Sequence, residues 1–161
     1  MPHALMNKAL IDAAVLLPSV GATTKEGVLE EMLGGMADAG VIATSAVKPV
    51  LVQLLEREAQ GSTGLGNGVA IPHVRETDGI SDTVIALGIA GDGVAFDAID
   101  GRAVRIVFLI LGPAGVDPDE HLQVLRWVSR LARNLDFRRF VLTAGSAQEL
   151  VELLREMTEA A

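Results

Sequence analysis

An α/β layered fold is predicted for this 161-residue chain by three observations. Segments with apolar residues at helical spacing alternate with short runs of strand length, the pattern of sheet and helix layers. The run Val104–Leu111 is apolar except at Arg105, as expected of a strand buried on both faces. Half of the residues are hydrophobic and 21% are charged, enough apolar surface for one domain to close a core. The expected domain spans residues 1–161, with its core from about 10 to 157.

The elements follow in order. Thr23-x-x-Glu26 has the form of a capping box, and Val28, Leu29, Met32, Leu33 and Met36 then recur at helical spacing until Gly40. A second helix is expected from Thr44 or Ser45 to about Ala59, with Pro49 in or near the first turn, where a missing N–H is tolerated. A glycine-rich loop follows, then a short strand over Val69–Ile71, and Glu76–Ser81 reads as a loop. Thr83–Ala90 is a strand, Gly91-Asp92-Gly93 a turn, and Val94–Phe96 a short edge segment. Gly112-Pro113 ends the central strand. A helix is expected from about Glu120 to Asn134, then shorter ones over Phe137–Thr143 and Ala147–Met157, the last capped by Ser146. No element is assigned before Thr23, and His3 is expected in a mobile tail.

Composition excludes several functions. A net charge of −8 gives no basic footprint for nucleic acid or an anionic membrane surface, and 3% aromatics give no base-stacking platform. No cysteine is present, so there is no disulfide framework, thiolate nucleophile or thiolate metal site. The N-terminus lacks a signal-peptide layout, and no apolar stretch is long enough to span a bilayer, so a cytoplasmic protein without direct membrane insertion is expected.

The chemistry concentrates in Gly61-Ser62-Thr63-Gly64-Leu65-Gly66-Asn67-Gly68-Val69-Ala70-Ile71-Pro72-His73. Glycines reach positive φ and let backbone approach a ligand, and successive N–H groups can form an anion-binding nest. On that view Ser62, Thr63, Gly64, Gly66 and Gly68 are candidate phosphate-binding residues; the other reading is a flexible helix-to-strand connection. The run follows a helix and opens a strand, the reverse of a dinucleotide fingerprint, and no Lys-Ser or Lys-Thr completes a P-loop. His73 is either an ordinary packed or surface histidine or an acceptor whose neutral ring attacks phosphorus. Arg75 stands two residues on and can pair with an oxyanion. His121 reads either as a first-turn helix residue or as a donor at a positive helix end. Arg57 reads either as a solvated charge beside Glu56 and Glu58 or as a cation held near His73. His73 and His121 do not have zinc-ligand spacing, no metal site is expected, and no serine or cysteine nucleophile with an orienting third group suggests a hydrolase.

Arg57-Glu58 with the glycine-to-histidine run closely resembles the active-site signature of the fructose/mannitol-type EIIA domains of the bacterial sugar phosphotransferase system, a family that includes nitrogen-regulatory EIIA proteins. Val94-Ala95-Phe96-Asp97-Ala98-Ile99-Asp100-Gly101 and Glu120-His121-Leu122 fit as well, and the resemblance covers roughly Lys25 to Leu154. It implies a mixed central sheet with helices on both faces. It also implies His73 as the phosphorylated residue, His121 as the assisting histidine and Arg57 as the active-site arginine. The implied partners are an HPr-type phosphocarrier as donor and an EIIB domain or a regulatory target as acceptor, with no metal or organic cofactor. The alternative is a nitrogen-regulatory binding protein whose phosphorylation state controls partners without sugar transport.

Two positions depart from the family pattern. Val74 replaces the usual glycine or alanine after the histidine, and Gln123 stands where regulatory members often carry a further histidine. Val74 is expected at a loop mouth, burying little and forming an apolar docking patch with Leu65 and Val69.

Overall fold

The computed structural model describes residues 3–160. In chain order its elements are α1 His3–Asp12, β1 Val15–Leu17, α2 Lys25–Asp38, a 3-10 turn Thr44–Ala46, α3 Val47–Gln60, β2 Gly64–Gly66, β3 Val69–Ala70, β4 His73–Thr77, β5 Val84–Val94, β6 Val104–Pro113, α4 Pro118–Arg133, α5 Leu135–Thr143 and α6 Ala147–Ala160. The sheet order is β1-β5-β6-β3-β2, and β4 also pairs with β6. β5 runs antiparallel to β6 and β2 to β3, while β1 is parallel to β5 and both β3 and β4 are parallel to β6, so the sheet is mixed as expected.

Period-two alternation in the two long strands divides the core. Val84, Ala86, Val107, Leu109 and Leu111 pack with α2 and α3 on one face. Ile85, Leu87, Ile89, Ile106, Phe108 and Ile110 pack with α1, α4, α5 and α6 on the other. Both strands therefore read as continuous apolar runs, because neither face meets water. Caps fix the helix starts. The cap of α2 is Thr24, one residue later than expected, whose Oγ1 accepts from Gly27 N at 3.0 Å. Asp117 Oδ1 accepts from Asp119 N at 2.9 Å, so α4 begins at Pro118 rather than Glu120. Ser146 Oγ accepts from Glu149 N at 3.2 Å, as expected.

Three expectations need correction. First, the residues before Thr23 carry structure: α1 begins at His3, where a mobile tail was expected, and its Met6, Leu10 and Ile11 are buried, while β1 adds a parallel edge to β5. Second, Gly91-Asp92-Gly93 is not a turn. β5 runs through it to Val94, which pairs with Val104, and the register slips between Ile89 and Val94 with Gly93 at φ 80°. That is the geometry of a bulge. Third, β4 carries the chain to Thr77, through the start of the segment read as a loop.

Candidate active site

Why does the glycine run fold as it does? Asn67 and Gly68 both have positive φ, 58° and 77°, as a two-residue turn of primed type requires, and they close a hairpin between β2 and β3. The loop before β6 packs on this hairpin: a Cβ on Gly64 would lie 2.9 Å from Ala98 Cα, and Asn67 N donates to Asp100 Oδ2 at 2.9 Å. The entry to the run is pinned by Glu58, a buried carboxylate at the end of α3. It accepts from Thr63 N at 3.2 Å, from the Thr63 hydroxyl and from Lys25 Nζ at 3.1 Å. Lys25 also sits 5.0 Å from the centre of the Phe96 ring.

These bonds determine what the run can do. Thr63 N is taken by Glu58, Gly64 N by Ser62 Oγ at 3.0 Å, and Asn67 N by Asp100. The Ser62 hydroxyl donates to Phe96 O. Three amides of the run are thus occupied by the protein's own oxygens. Ser62, Thr63, Gly64, Gly66 and Gly68 do not line the cleft at His73; they form the frame that delivers it.

The chain leaves β3 through Ile71 and Pro72 and rejoins β6 as β4, with His73 opposite Ile110. β4 has β6 as its single partner among the described strands, so its other edge opens into a cleft of about 600 Å³. The cleft is walled by Gln53, Glu56, Arg57 and Gln60 of α3, by His73, Val74 and Arg75 of β4, and by His121 and Leu125 of α4. Alternation along β4 explains the pairing: His73 and Arg75 share one face, while Val74 between them turns into the core against α2 and α3.

Val74 is therefore more buried than expected: it pairs with Leu111 in β4 and is 9% exposed, its remaining surface at the cleft beside His73. Val69 is 1% exposed and also belongs to the core, whereas Leu65, at 44%, is exposed. Val74→Ala is expected to cost about 1.5 kcal/mol, two buried methyl equivalents, with transfer chemistry little changed. Chemical denaturation with a parallel phosphotransfer assay checks this, and an unchanged midpoint with altered transfer would contradict it.

The two histidine rings lie 5.8 Å apart, centre to centre, at 49°. The Nδ1 of His73 is 2.7 Å from the Ile71 carbonyl, which can only accept, so in the neutral ring Nδ1 carries the proton and Nε2 the lone pair. His121 is 5% exposed, and neither of its ring nitrogens has a protein partner. Burial, then the charges of His73 and Arg75, hold its pKa below the ordinary 6.5. Its position in α4 is set by Gly112 of β6, where a Cβ would meet the Arg75 carbonyl oxygen at 2.3 Å and His121 Nδ1 at 3.4 Å. At the α4 N-terminus Asp117 Oδ1 accepts from Asp119 N, and Asp117 O accepts from His121 N at 3.1 Å. α4 offers the cleft the His121 ring. Arg57 donates from Nη1 to Gly61 O at 2.8 Å, and its other N–H groups have no protein acceptor among the described residues.

The structure brings His73, His121, Arg57 and Arg75 around one cleft. Glu58 entered the sequence reading only within the Arg57-Glu58 pair, with no role of its own, and Gly112 was assigned none at the site. Glu58 gave no signal beyond its place beside Arg57, and Gly112 was read only as a strand end.

The depressed pKa of His121 has a consequence for stability. The unfolded chain binds a proton at this residue near pH 6.5 and the folded chain only below it. The stability contribution is therefore complete above about pH 6.5 and is lost as pH falls through that value toward the folded pKa. Unfolding free energies at about pH 7.5 and about pH 5.5 are expected to differ less for His121→Asn than for the natural sequence. An identical difference in both would contradict the assignment.

The chain matches the family described as "Phosphoenolpyruvate-dependent sugar phosphotransferase system, EIIA 2" over residues 9–157. It is 38% identical over 136 residues to a fructose-specific EIIA component of the phosphotransferase system from Haloferax volcanii, covering 84% of this chain and 86% of that one. The crystal structure of nitrogen regulatory protein IIA-Ntr from Neisseria meningitidis superimposes with a TM-score of 0.74 at 30% identity, over 93% of this chain and 99% of that one. The fold is shared with Escherichia coli enzyme IIA mannitol in its complex with phosphorylated enzyme IIB mannitol, at a TM-score of 0.68 and 20% identity, over 88% of this chain and 94% of that one. Hairpin frame, histidine pair and comparisons agree: this chain belongs to the EIIA 2 family of the phosphoenolpyruvate-dependent sugar phosphotransferase system.

Proposed function

We propose that this protein is a cytoplasmic phosphohistidine carrier in which His73 Nε2 accepts a phosphoryl group from an HPr-type protein and yields it to an EIIB partner. The observation that carries the reading is His121, a buried imidazole with both nitrogens unpartnered, facing the ring of an accessible histidine 5.8 Å away. A buried unpaired N–H costs about 1–3 kcal/mol, and a phosphoryl oxygen on His73 would supply the missing acceptor.

The transfer is an in-line displacement at phosphorus. The His73 Nε2 lone pair forms the new N–P bond as the N–P bond of the donor phosphohistidine breaks, and the donor ring keeps that electron pair. As Nε2 gives up electron density, the Nδ1–H bond to the Ile71 carbonyl strengthens and holds the ring in line. His121 Nε2 or Nδ1 donates to an equatorial oxygen, and Arg57 and Arg75 stand at the rim to balance charge. Being neutral, His121 donates a proton in a hydrogen bond without fixing a full positive charge beside phosphorus, which leaves onward transfer accessible.

The test is incubation with enzyme I, HPr and labelled phosphoenolpyruvate. Label that is acid-labile and alkali-stable supports a phosphoramidate; an acid-stable label refutes it. His121→Ala is expected to keep labelling while slowing transfer by roughly tenfold or more, the worth of one charge-assisted hydrogen bond. An unchanged rate in both directions would reduce His121 to a packing residue.

A regulatory reading is favoured by the likeness to IIA-Ntr over 93% of the chain. A transport role predicts that label passes to the cysteine of an EIIB domain. A regulatory role predicts no such acceptor and partner binding that depends on phosphorylation of His73.

A further inference from the structure

On the face of α4 turned away from His73 lies a second groove. Arg126, Arg130 and Arg133 line it, together with Trp127 of the same helix and Met6 and Asn7 of α1, and its volume is about 470 Å³. The three arginines are spaced four and three residues apart, so they rise along one side of the helix over about 10 Å. None is in an ion pair among the described residues, and Arg126 and Arg130 make no hydrogen bond there; Arg133 reaches only Ser129 O of its own helix, at 3.4 Å. In a protein of net charge −8, with 13 basic residues in all, three unpaired guanidiniums in one concavity are a concentration that folding does not require.

Lys48, Arg75 and Arg139 also have no partner among the described residues, so what distinguishes this groove is the gathering of three cations in one concavity, whereas other cations are used internally. Lys25 holds Glu58, and Lys8 and Arg155 both meet Asp12 in the adjoining groove. The wall supplied by α1 adds an unsatisfied acceptor. Among the described residues the Asn7 amide oxygen is buried without a donor and the side chain makes no hydrogen bond. The floor is apolar: Trp127 is 2% exposed, its Nε1 donating to Thr158 Oγ1 at 3.1 Å, and Met6 is 6% exposed.

We infer that this groove binds a small phosphate ester with at least two anionic centres and a hydroxyl or amino donor. Guanidiniums recognise phosphate by paired N–H donors, and a single inorganic phosphate cannot span a row about 10 Å long. A ring-sized body with anions at both ends can, while its apolar side rests on Met6 and Trp127 and its donor meets Asn7. A sugar bisphosphate and a nucleoside triphosphate share this chemistry. The site is independent of the phosphocarrier reading. α4 carries both sites, with His121 and Leu125 on the cleft side and Arg126 and Arg130 on this one.

The experiment is calorimetric titration of the unphosphorylated protein with fructose 1,6-bisphosphate, ATP, pyrophosphate and inorganic phosphate. One or both of the first two should saturate a single site, at least about tenfold tighter than inorganic phosphate, and weaken as salt is added. Whichever of the two binds more tightly names the source. Arg130→Gln and Arg126→Gln should each lower that affinity about tenfold or more, leaving the thermal midpoint and labelling of His73 unchanged. Arg75→Gln should leave it within about twofold. Absence of saturation at millimolar ester would overturn the inference. Equal loss in Arg75→Gln would overturn it too, placing the ligand in the His73 cleft. So would capture of a polyglutamate peptide without any binding of the small esters, which would make the groove a docking face for acidic protein.

Discussion

His73→Ala is expected to reduce phosphoryl acceptance from HPr to background while costing no more than about 1 kcal/mol of stability. The two halves of that expectation have different origins. Acceptance disappears because His121, the other histidine of the cleft, does not meet its requirements. His121 is 5% exposed and hydrogen-bonded to nothing that would orient a lone pair toward solvent. Stability is nearly kept because the His73 ring is half-buried at the edge of the sheet and its one bond is to Ile71, two residues before it. Retained label at more than a trace would move the acceptor elsewhere, and a collapse of the thermal midpoint would make His73 a framework residue.

Gly112→Ala is expected to damage fold and transfer together. The new Cβ would sit 2.3 Å from the Arg75 carbonyl oxygen, a backbone atom that cannot rotate away, and 3.4 Å from His121 Nδ1. β4 must therefore shift relative to β6, at a cost of about 2–3 kcal/mol, the upper part of the range for overpacking. The same shift moves the His73 and His121 rings relative to each other, and a displacement of about 1 Å in such a geometry lowers the rate on the order of 100-fold. Gly88→Ala is the matched control. Its Cβ would meet Met32 Sδ at 2.9 Å and Val20 Cγ2 at 3.1 Å, on the α2 side of the sheet and away from the cleft. It should lower the midpoint without a comparable fall in transfer rate. Equal rate losses in the two variants would show that global destabilisation, not displacement of the histidine pair, accounts for both.

How much of this was legible in the sequence depended on whether local pattern or tertiary contact decides each element. β6 and α4 were readable because an apolar run and a periodic stripe leave little choice. α1 and β1 were not, since α1 buries a stripe of only three residues with described side chains, Met6, Leu10 and Ile11, and β1 is three residues long. His73 stood out because the motif before it is long; the tertiary partners that hold that motif were not legible. Asn67-Gly68 is a hairpin turn signal by its own chemistry, and Gly64 and Gly66 beside it allow close packing against Ala98 and Asp100. Val74 was misplaced because the segment from Glu76 was read as loop, whereas β4 runs to Thr77 and its alternation sends Val74 inward and Arg75 outward. Nothing local to His121 revealed that both its nitrogens are unpartnered, because that depends on Gly112 and β4 meeting α4.

The central claim is that phosphorus bonds to Nε2 of His73 while His121 supplies a hydrogen bond to it. Long-range 1H–15N NMR of the phosphorylated protein, followed through a pH titration, tests both parts at once. The account predicts coupling of phosphorus to Nε2 of His73, with Nδ1 still protonated toward the Ile71 carbonyl. It also predicts that the His121 pKa rises on phosphorylation, because a nearby dianion favours the protonated ring. Phosphorus on Nδ1, or a His121 titration unmoved by phosphorylation, would contradict it.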